Sequence, residues 1–267
     1  MTEPVNHTIL LLDIEQFGRR DDVEQAFMRR MLYSVLRETL RSAGVEAAEQ
    51  RLEDRGDSVM ALINPTVPKS RLVHALINET PALLNANNRL AADSARVRLR
   101  IVLASGEVAV QELGGALGGV VGWDLNQAFR LLDSTALREA LKHRADAPCV
   151  LSVSDTVYQG IVRHGHGGLP TGEFYRITVH GKEGDFPAWL HGEPAPTPST
   201  PAAAPDQPAP TPAAAAAPGG ARPPATFQFL GGSPSFGGNL IGGDHHTVSG
   251  GQVHGDVNTG NTVGGDR

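Results

Sequence analysis

Two aspartates are spaced for chemistry. Asp13 closes the apolar run His7-Thr-Ile-Leu-Leu-Leu-Asp13-Ile14, and Asp57 sits in a tight turn just before Ser58-Val-Met-Ala-Leu-Ile63. Carboxylates at the ends of neighbouring strands are placed to hold a hard cation such as Mg²⁺ between them. Taken alone, each also reads as a strand end or a turn former. A second pair lies further on. Asn126 and Arg130 are four residues apart in a helical stretch, so they share a face. An amide beside a guanidinium can grip a ribose and a phosphate, and Arg suits charge that develops on a phosphoryl group. Alone, Arg130 also reads as a surface partner of Asp133.

Other candidates carry less. His164-Gly-His166 could be half of a metal site, but its glycines suggest a loop. Gly114-Gly-Ala-Leu-Gly118-Gly119 lacks the Lys-Ser/Thr of a phosphate loop and reads as a flexible turn before the Asn126 helix. No Gly-x-Ser-x-Gly is present, so serine-hydrolase chemistry has no nucleophile motif. The single Cys149 excludes an internal disulfide and a cysteine metal cage, and fits a reducing cytoplasm.

The elements that must position these residues follow from apolar spacing. Residues 7–14 alternate nowhere and predict a strand buried on both faces. Val23, Phe27, Met28, Met31, Leu32, Val35, Leu36 and Leu40 lie on one face of a helix between Asp21 and Gly44. Two strand-like pieces flank Arg55-Gly56-Asp57. Leu72 to Leu84 predicts a second helix, interrupted at Pro81. Val97–Leu103 alternates as a strand, and Asp124 to Leu141 reads as one helical stretch. Cys149–Val153, Tyr175–Val179 and Phe186–Leu190 read as further strands. The order β-α-β-β-α-β with additions is an α+β, ferredoxin-like arrangement: a mostly antiparallel sheet with helices.

Composition divides the chain. It has 267 residues and a formal net charge of −6. Most of its 19 prolines fall between Pro194 and Pro224, and the residues beyond are glycine-rich. Residues 1–191 can bury a single core; 192–225 form a Pro/Ala linker and 226–267 a Gly-rich tail. The acidic balance argues against nucleic-acid binding. No apolar run reaches the ~20 residues of a membrane span, and no signal peptide is visible, so a cytoplasmic location is expected.

In chain order, four segments form a specific set. They are Asp13-Ile14-Glu15-Gln16-Phe17, Gly56-Asp57-Ser-Val-Met-Ala61, Arg100-Ile-Val-Leu-Ala-Ser-Gly106-Glu107-Val108 and Gly122-Trp-Asp-Leu-Asn126-Gln-Ala128-Phe-Arg130-Leu131. Together they resemble the class III nucleotidyl cyclase catalytic domain over about residues 7–190. Gly181-Lys182 stands where that family has a Lys-Gly-Lys loop. Arg51-Leu-Glu-Asp-Arg-Gly-Asp57 further resembles a cyclase-like module of actinobacterial signalling and conflict proteins.

The resemblance implies a mechanism. Asp13 and Asp57, helped by the Ile14 carbonyl, would bind two Mg²⁺ or Mn²⁺ ions. One ion would help activate a 3′-hydroxyl, and the other would hold a nucleoside triphosphate. Asn126 would orient the ribose, Arg130 would stabilise the transferring phosphate, and Lys182 would touch the terminal phosphates. The family's site lies at a head-to-tail dimer interface, which implies a homodimer. Two positions depart from the pattern. Glu53 falls where the family reads the base with Lys, and Gly119 falls where it uses a second base-reading residue. Base choice therefore does not carry over. A catalytically silent adaptor that binds a nucleotide or partner stands as the alternative.

The tail repeats itself. Asn239-Leu-Ile-Gly-Gly-Asp244 recurs as Asn261-Thr-Val-Gly-Gly-Asp266. Short β-branched pieces between glycines, with little charge, suit stacked strands. The tail resembles the amyloid signalling motifs of bacterial conflict proteins, which implies a homotypic partner. A Gly-rich end that stays disordered is the plainer alternative.

Overall fold

In a computed structural model, the structure describes residues 3–113, 116–181, 184–194, 240–242 and 246–248. It divides into two units, Met1–Ala202 and Ala203–Arg267.

The first unit is built on β1 (Val5–Ile14), whose buried residues alternate between two cores. Leu10, Leu12 and Ile14 face one helical layer, while Ile9 and Leu11 face the other. This is the two-faced burial that the unbroken apolar run predicts. Each fully buried leucine or isoleucine contributes about 1.5–3 kcal/mol from water exclusion.

The first layer holds α1 (Asp22–Ser42) and, later, α2. α1 opens on a capping box: the Glu24 N–H donates to Asp21 Oδ1 at 2.8 Å, and the Asp21 N–H donates to Glu24 Oε2 at 3.3 Å. Met28, Leu32, Val35, Leu36 and Leu40 are its buried stripe. A hairpin follows, β2 (Gln50–Asp54) and β3 (Ser58–Ile63).

α2 (Lys69–Asn88) runs unbroken through Pro81, against the expected interruption. Its apolar stripe, Leu72, Val73, Leu76 and Leu84, packs into one core across the proline. Next to Pro81, the buried Thr80 hydroxyl lies 2.8 Å from that of Thr39 on α1 and donates to the Ala75 carbonyl at 3.3 Å. Tertiary packing and these side-chain bonds outweigh the proline's lost donor.

β4 (Leu99–Leu113) is much longer than the alternating pattern suggests. It pairs with β5 (Ala116–Val121), so part of the Gly-rich segment expected to be a flexible turn is a strand. The ladder supplies order that glycine's local preferences oppose. The expected single helix from Asp124 to Leu141 is two: α3 (Trp123–Leu132) and α4 (Thr135–His143). Ser134 makes the break. Its hydroxyl accepts the Leu137 N–H at 3.2 Å and caps a new helix. β6 (Cys149–Ser154), α5 (Asp155–Gly160), β7 (Phe174–Val179) and β8 (Phe186–His191) complete the unit.

The sheet order is β2-β3-β1-β4-β6-β8-β7, with β5 paired to β4. Only β4–β6 is parallel; the other pairs are antiparallel. This is the α+β, ferredoxin-like sheet with additions. α1 and α2 cover one face, and α3 and α4 cover the other. In the second unit, β9 (Leu240–Gly242) pairs antiparallel with β10 (His246–Val248).

Candidate functional site

The register of β1 assembles the site. Asp13 lies opposite Ser58 on β3 and opposite Arg100 on β4. The Ile14 N–H donates to the Asp57 carbonyl at 3.1 Å. Asp13, Ile14 and Asp57 therefore sit together at one end of the sheet. Asp57 itself is exposed, at the end of a turn that Gly56 makes with φ +84°. That left-handed conformation favours glycine.

Asp13 is nearly enclosed, with 7% of its surface exposed. Its Oδ2 accepts from Arg100 Nε at 2.9 Å and from Arg100 Nη2. Burial pushes its pKa up to about 6; Arg100 pulls the other way, and the charges of Asp57 and Asp133 add to the rise. Arg100 Nη1 is buried with no acceptor among the described residues.

Arg100 is the residue that sequence reasoning missed. A signal was present. Asp13-Ile14-Glu15, at and just past the end of β1, faces Arg98-Leu99-Arg100 at the start of β4, and a second pair forms beside the first, Arg98 Nη1 to Glu15 Oε2 at 2.9 Å. Alternating acids on one strand and alternating arginines on another predict an antiparallel charge ladder.

The raised pKa has a consequence for folding. Between about pH 4 and pH 6 the folded chain keeps a proton on Asp13 that the unfolded chain has released. Stability therefore falls as pH rises through that window. With a chelator present, the urea midpoint of the wild-type chain should lose ground to Asp13→Asn from pH 4 to 6. Above pH 6 the two should run parallel.

α3 is docked by close backbone approach. The Asp124 carboxylate accepts the Glu107 N–H at 3.2 Å and lies against Gly106, where a Cβ would fall 2.2 Å from the Asp124 Cβ. At Gly122 a Cβ would meet the Glu107 carbonyl oxygen at 2.5 Å. Gly122→Ala should cost about 1–3 kcal/mol by forcing α3 off β4. Thermal denaturation checks this, and the displaced helix carries Asn126 and Arg130.

α3 brings two groups to the site. Phe129 takes the Arg55 guanidinium of the β2–β3 turn at 4.7 Å from its ring centroid, and the charge of Asp133 reaches Asp13. At 100° per residue, Asn126 lies about 60° around α3 from Phe129 and about 20° from Asp133, and Arg130 about 100° and 60°, so the two pairs are neighbours on the helix. Asn126 is exposed, and the Arg130 guanidinium lies 5.9 Å from the Trp123 ring centroid. The charges felt at Asp13 are those of Arg100, Asp57 and Asp133.

The remaining positions are scattered. Glu53 lies on the edge strand β2, and its Oε1 pairs with Arg55 Nη2 at 2.9 Å. Gly119 lies on β5 with φ +106°, and no atom lies within 4 Å of a Cβ built there. Lys182 lies outside the described residues. His164 and His166 have ring centroids 5.7 Å apart, and no group of three metal-ligating side chains forms among the described residues.

The donor set at Asp13 and Asp57 fits a hard divalent cation. Both side chains are carboxylates, and the charge of one is felt at the other. Asp13 has Oδ1 to offer, because Arg100 holds Oδ2.

A mostly antiparallel sheet of this order, with a helical layer on each face, is an α+β fold. No protein-family model matches the sequence, and no curated protein does. Solved structures do. The guanylyl cyclase Cya2 aligns over 73% of this chain and 97% of its own, at 17% identity and a TM-score of 0.51. A bacterial light-regulated adenylyl cyclase aligns over 71% of this chain and 91% of its own, at 16% identity and 0.49. The guanylate cyclase domain of RhGC from Catenaria anguillulae, solved with GTP, covers 72% and 98%, at 19% and 0.48. The chain has the fold of a nucleotidyl cyclase catalytic domain. No helix among the described residues is long and apolar enough to cross a membrane.

Proposed function

We propose that the domain is a nucleotidyl cyclase that converts a nucleoside triphosphate to a 3′,5′-cyclic nucleotide and pyrophosphate in a homodimer. The observation that carries this reading is the juxtaposition of Asp13 and Asp57 through the β1–β3 register. Asp13, Asp57 and the Ile14 carbonyl would hold Mg²⁺ or Mn²⁺, which supplies charge neutralisation and a more acidic 3′-hydroxyl. Arg100 keeps Asp13 in place. Lys182 would meet the terminal phosphates.

Asn126 and Arg130 would serve the metal site of a second copy. The N-terminal part of α3 carries the exposed Asn126. Beside it Val121 and Trp123 are 41% and 59% exposed, apolar surface suited to an interface between copies. In that arrangement Asn126 orients the ribose and Arg130 meets the charge developing on the transferred phosphate.

Glu53 and Gly119 would face the base. A carboxylate only accepts hydrogen bonds. Guanine offers N1–H and N2–H on one edge, whereas the same edge of adenine offers N6–H alone. Glu53 therefore favours GTP, and Gly119 leaves room. Purified protein with Mn²⁺ and each of the four nucleoside triphosphates, read by mass, should give cyclic GMP above the other cyclic products. A second reading has its own observation: Asp13 already spends Oδ2 on Arg100. If nucleotide binds and no triphosphate is cyclised, the domain is a silent nucleotide-binding adaptor.

The tail is assigned to homotypic assembly. The pairing of Leu240–Gly242 with His246–Val248 lies in and beside the first repeat, while the second repeat, Asn261–Asp266, lies outside the described residues. A peptide of residues 239–267 should form fibres with a meridional spacing of ~4.7–4.8 Å. Val253→Pro should block them by removing a ladder donor. A peptide that stays monomeric with seeds of itself returns the tail to a plain Gly-rich end.

A further inference from the structure

The turn that carries Asp57 is anchored from outside the sheet. Arg29 and Tyr33 are one helical turn apart on α1, and both reach over to the β2–β3 hairpin. Arg29 Nη1 donates to the Gly56 carbonyl at 2.6 Å, and Nη2 pairs with Asp54 Oδ2. The Tyr33 hydroxyl donates to the same Oδ2 at 2.8 Å. The other oxygen, Asp54 Oδ1, accepts the Gly56 N–H at 2.8 Å. One carboxylate thus closes the turn on its inner side and joins it to the helix on its outer side.

The turn needs such an anchor. Gly56 at φ +84° is the residue type with the most conformational freedom, and Asp57 follows it directly. Between Asp54 and Ser58 the hairpin's own closing bond is the Arg55 N–H to the Ser58 carbonyl at 3.0 Å. The Ile14 N–H holds the Asp57 carbonyl, but neither this bond nor those of the Arg55 and Gly56 N–H groups reach the Gly56 carbonyl. Arg29 grips the Gly56 carbonyl itself. α1 is a rigid support for this work: Met28, Leu32 and Leu36 on its inner face are fully buried.

We propose that Arg29 and Tyr33 are positioning residues that hold the Asp57 turn in the geometry its metal ion requires. This rests on reading Asp57 as a metal carboxylate. Residues that orient a ligating group typically set about 10–100-fold in metal affinity. The loss of Arg29, which makes two of the three contacts from α1, should outweigh the loss of the Tyr33 hydroxyl.

The test pairs two measurements on the full chain: Mn²⁺ affinity by electron paramagnetic resonance, and amide exchange at Gly56. Arg29→Met should weaken Mn²⁺ binding about tenfold and speed exchange at Gly56, with the exchange of the α1 core amides unchanged. Arg29→Lys should recover part of both, because an ammonium reaches one acceptor where the guanidinium reaches two. Arg30→Met, one residue along on the exposed side of α1, should change neither. Should Arg29→Met fail to fold, Tyr33→Phe decides the matter on the same two readings.

Unchanged Mn²⁺ affinity in Arg29→Met, or in Tyr33→Phe when that variant decides, overturns the proposal, even if exchange at Gly56 rises. Should the wild-type chain bind no Mn²⁺ at all, the metal reading of Asp57 falls, and the positioning role toward a metal falls with it. Those two failures are told apart by the wild-type titration alone.

Discussion

Asp57→Ala should abolish cyclic product, with turnover down by roughly three orders of magnitude and the fold intact. Two carboxylates share the cation load, and removing one forfeits several kcal/mol of stabilisation of charge that forms only in the transition state; each 1.36 kcal/mol is about tenfold in rate. Asp57 is exposed at the turn, so its loss leaves no buried group unpaired. Asp13→Ala should be equally inactive but not equally stable. It strands Arg100, whose side chain is 14% exposed, without its acceptor. Breaking a buried pair from one side costs about 3–5 kcal/mol. Asp13→Asn is the cleaner probe, because its amide oxygen can still accept from Arg100. Product assays beside urea unfolding separate the effects. Activity that survives the double variant Asp13→Asn/Asp57→Ala would remove the two-carboxylate assignment.

Mixing two dead variants should restore activity. Asp57→Ala lacks the metal carboxylate, and Arg130→Ala lacks the phosphate cation. If a site draws Asp57 from one copy and Arg130 from the other, each mixed dimer has one intact site and one doubly damaged site. Equal mixing with free exchange makes half the dimers mixed, so about a quarter of the wild-type sites are recovered. The exposure of Asn126, with the exposed apolar Val121 and Trp123 beside it, motivates the expectation. Proven heterodimers that stay inactive would overturn the shared site.

Much of the fold was legible because burial writes a pattern. The unbroken run at residues 7–14 could only be a strand with both faces covered, and β1 lies between two cores. The stripe from Met28 to Leu40 marked α1, with Asp21 and Glu24 as its opening. Asp13 and Asp57 could be paired because adjacent antiparallel strands bring their ends together whatever the side chains. From composition we propose a core-forming part, a proline stretch and a glycine-rich tail, since a core needs apolar residues that the last part lacks.

What needed the tertiary structure was every outcome set by partners distant in sequence. Pro81 reads as a helix breaker, yet α2 continues, because its stripe on either side packs into the same core. Ser134 ends one helix and caps the next, a choice between continuing and restarting that apolar spacing leaves open. The glycines before Val121 favour a loop locally, and only the ladder with β4 makes part of them a strand. Arg100 becomes part of the site through one register, Asp13 opposite Arg100; a slip of one residue would turn it to the other face. The reach of Arg29 and Tyr33 to the Asp57 turn spans more than twenty residues of sequence. Local preferences and burial act on neighbours in the chain, so they are written in its order. Register, close approach and long polar reach depend on which surfaces meet, and those are settled only when the sheet and its helices pack together.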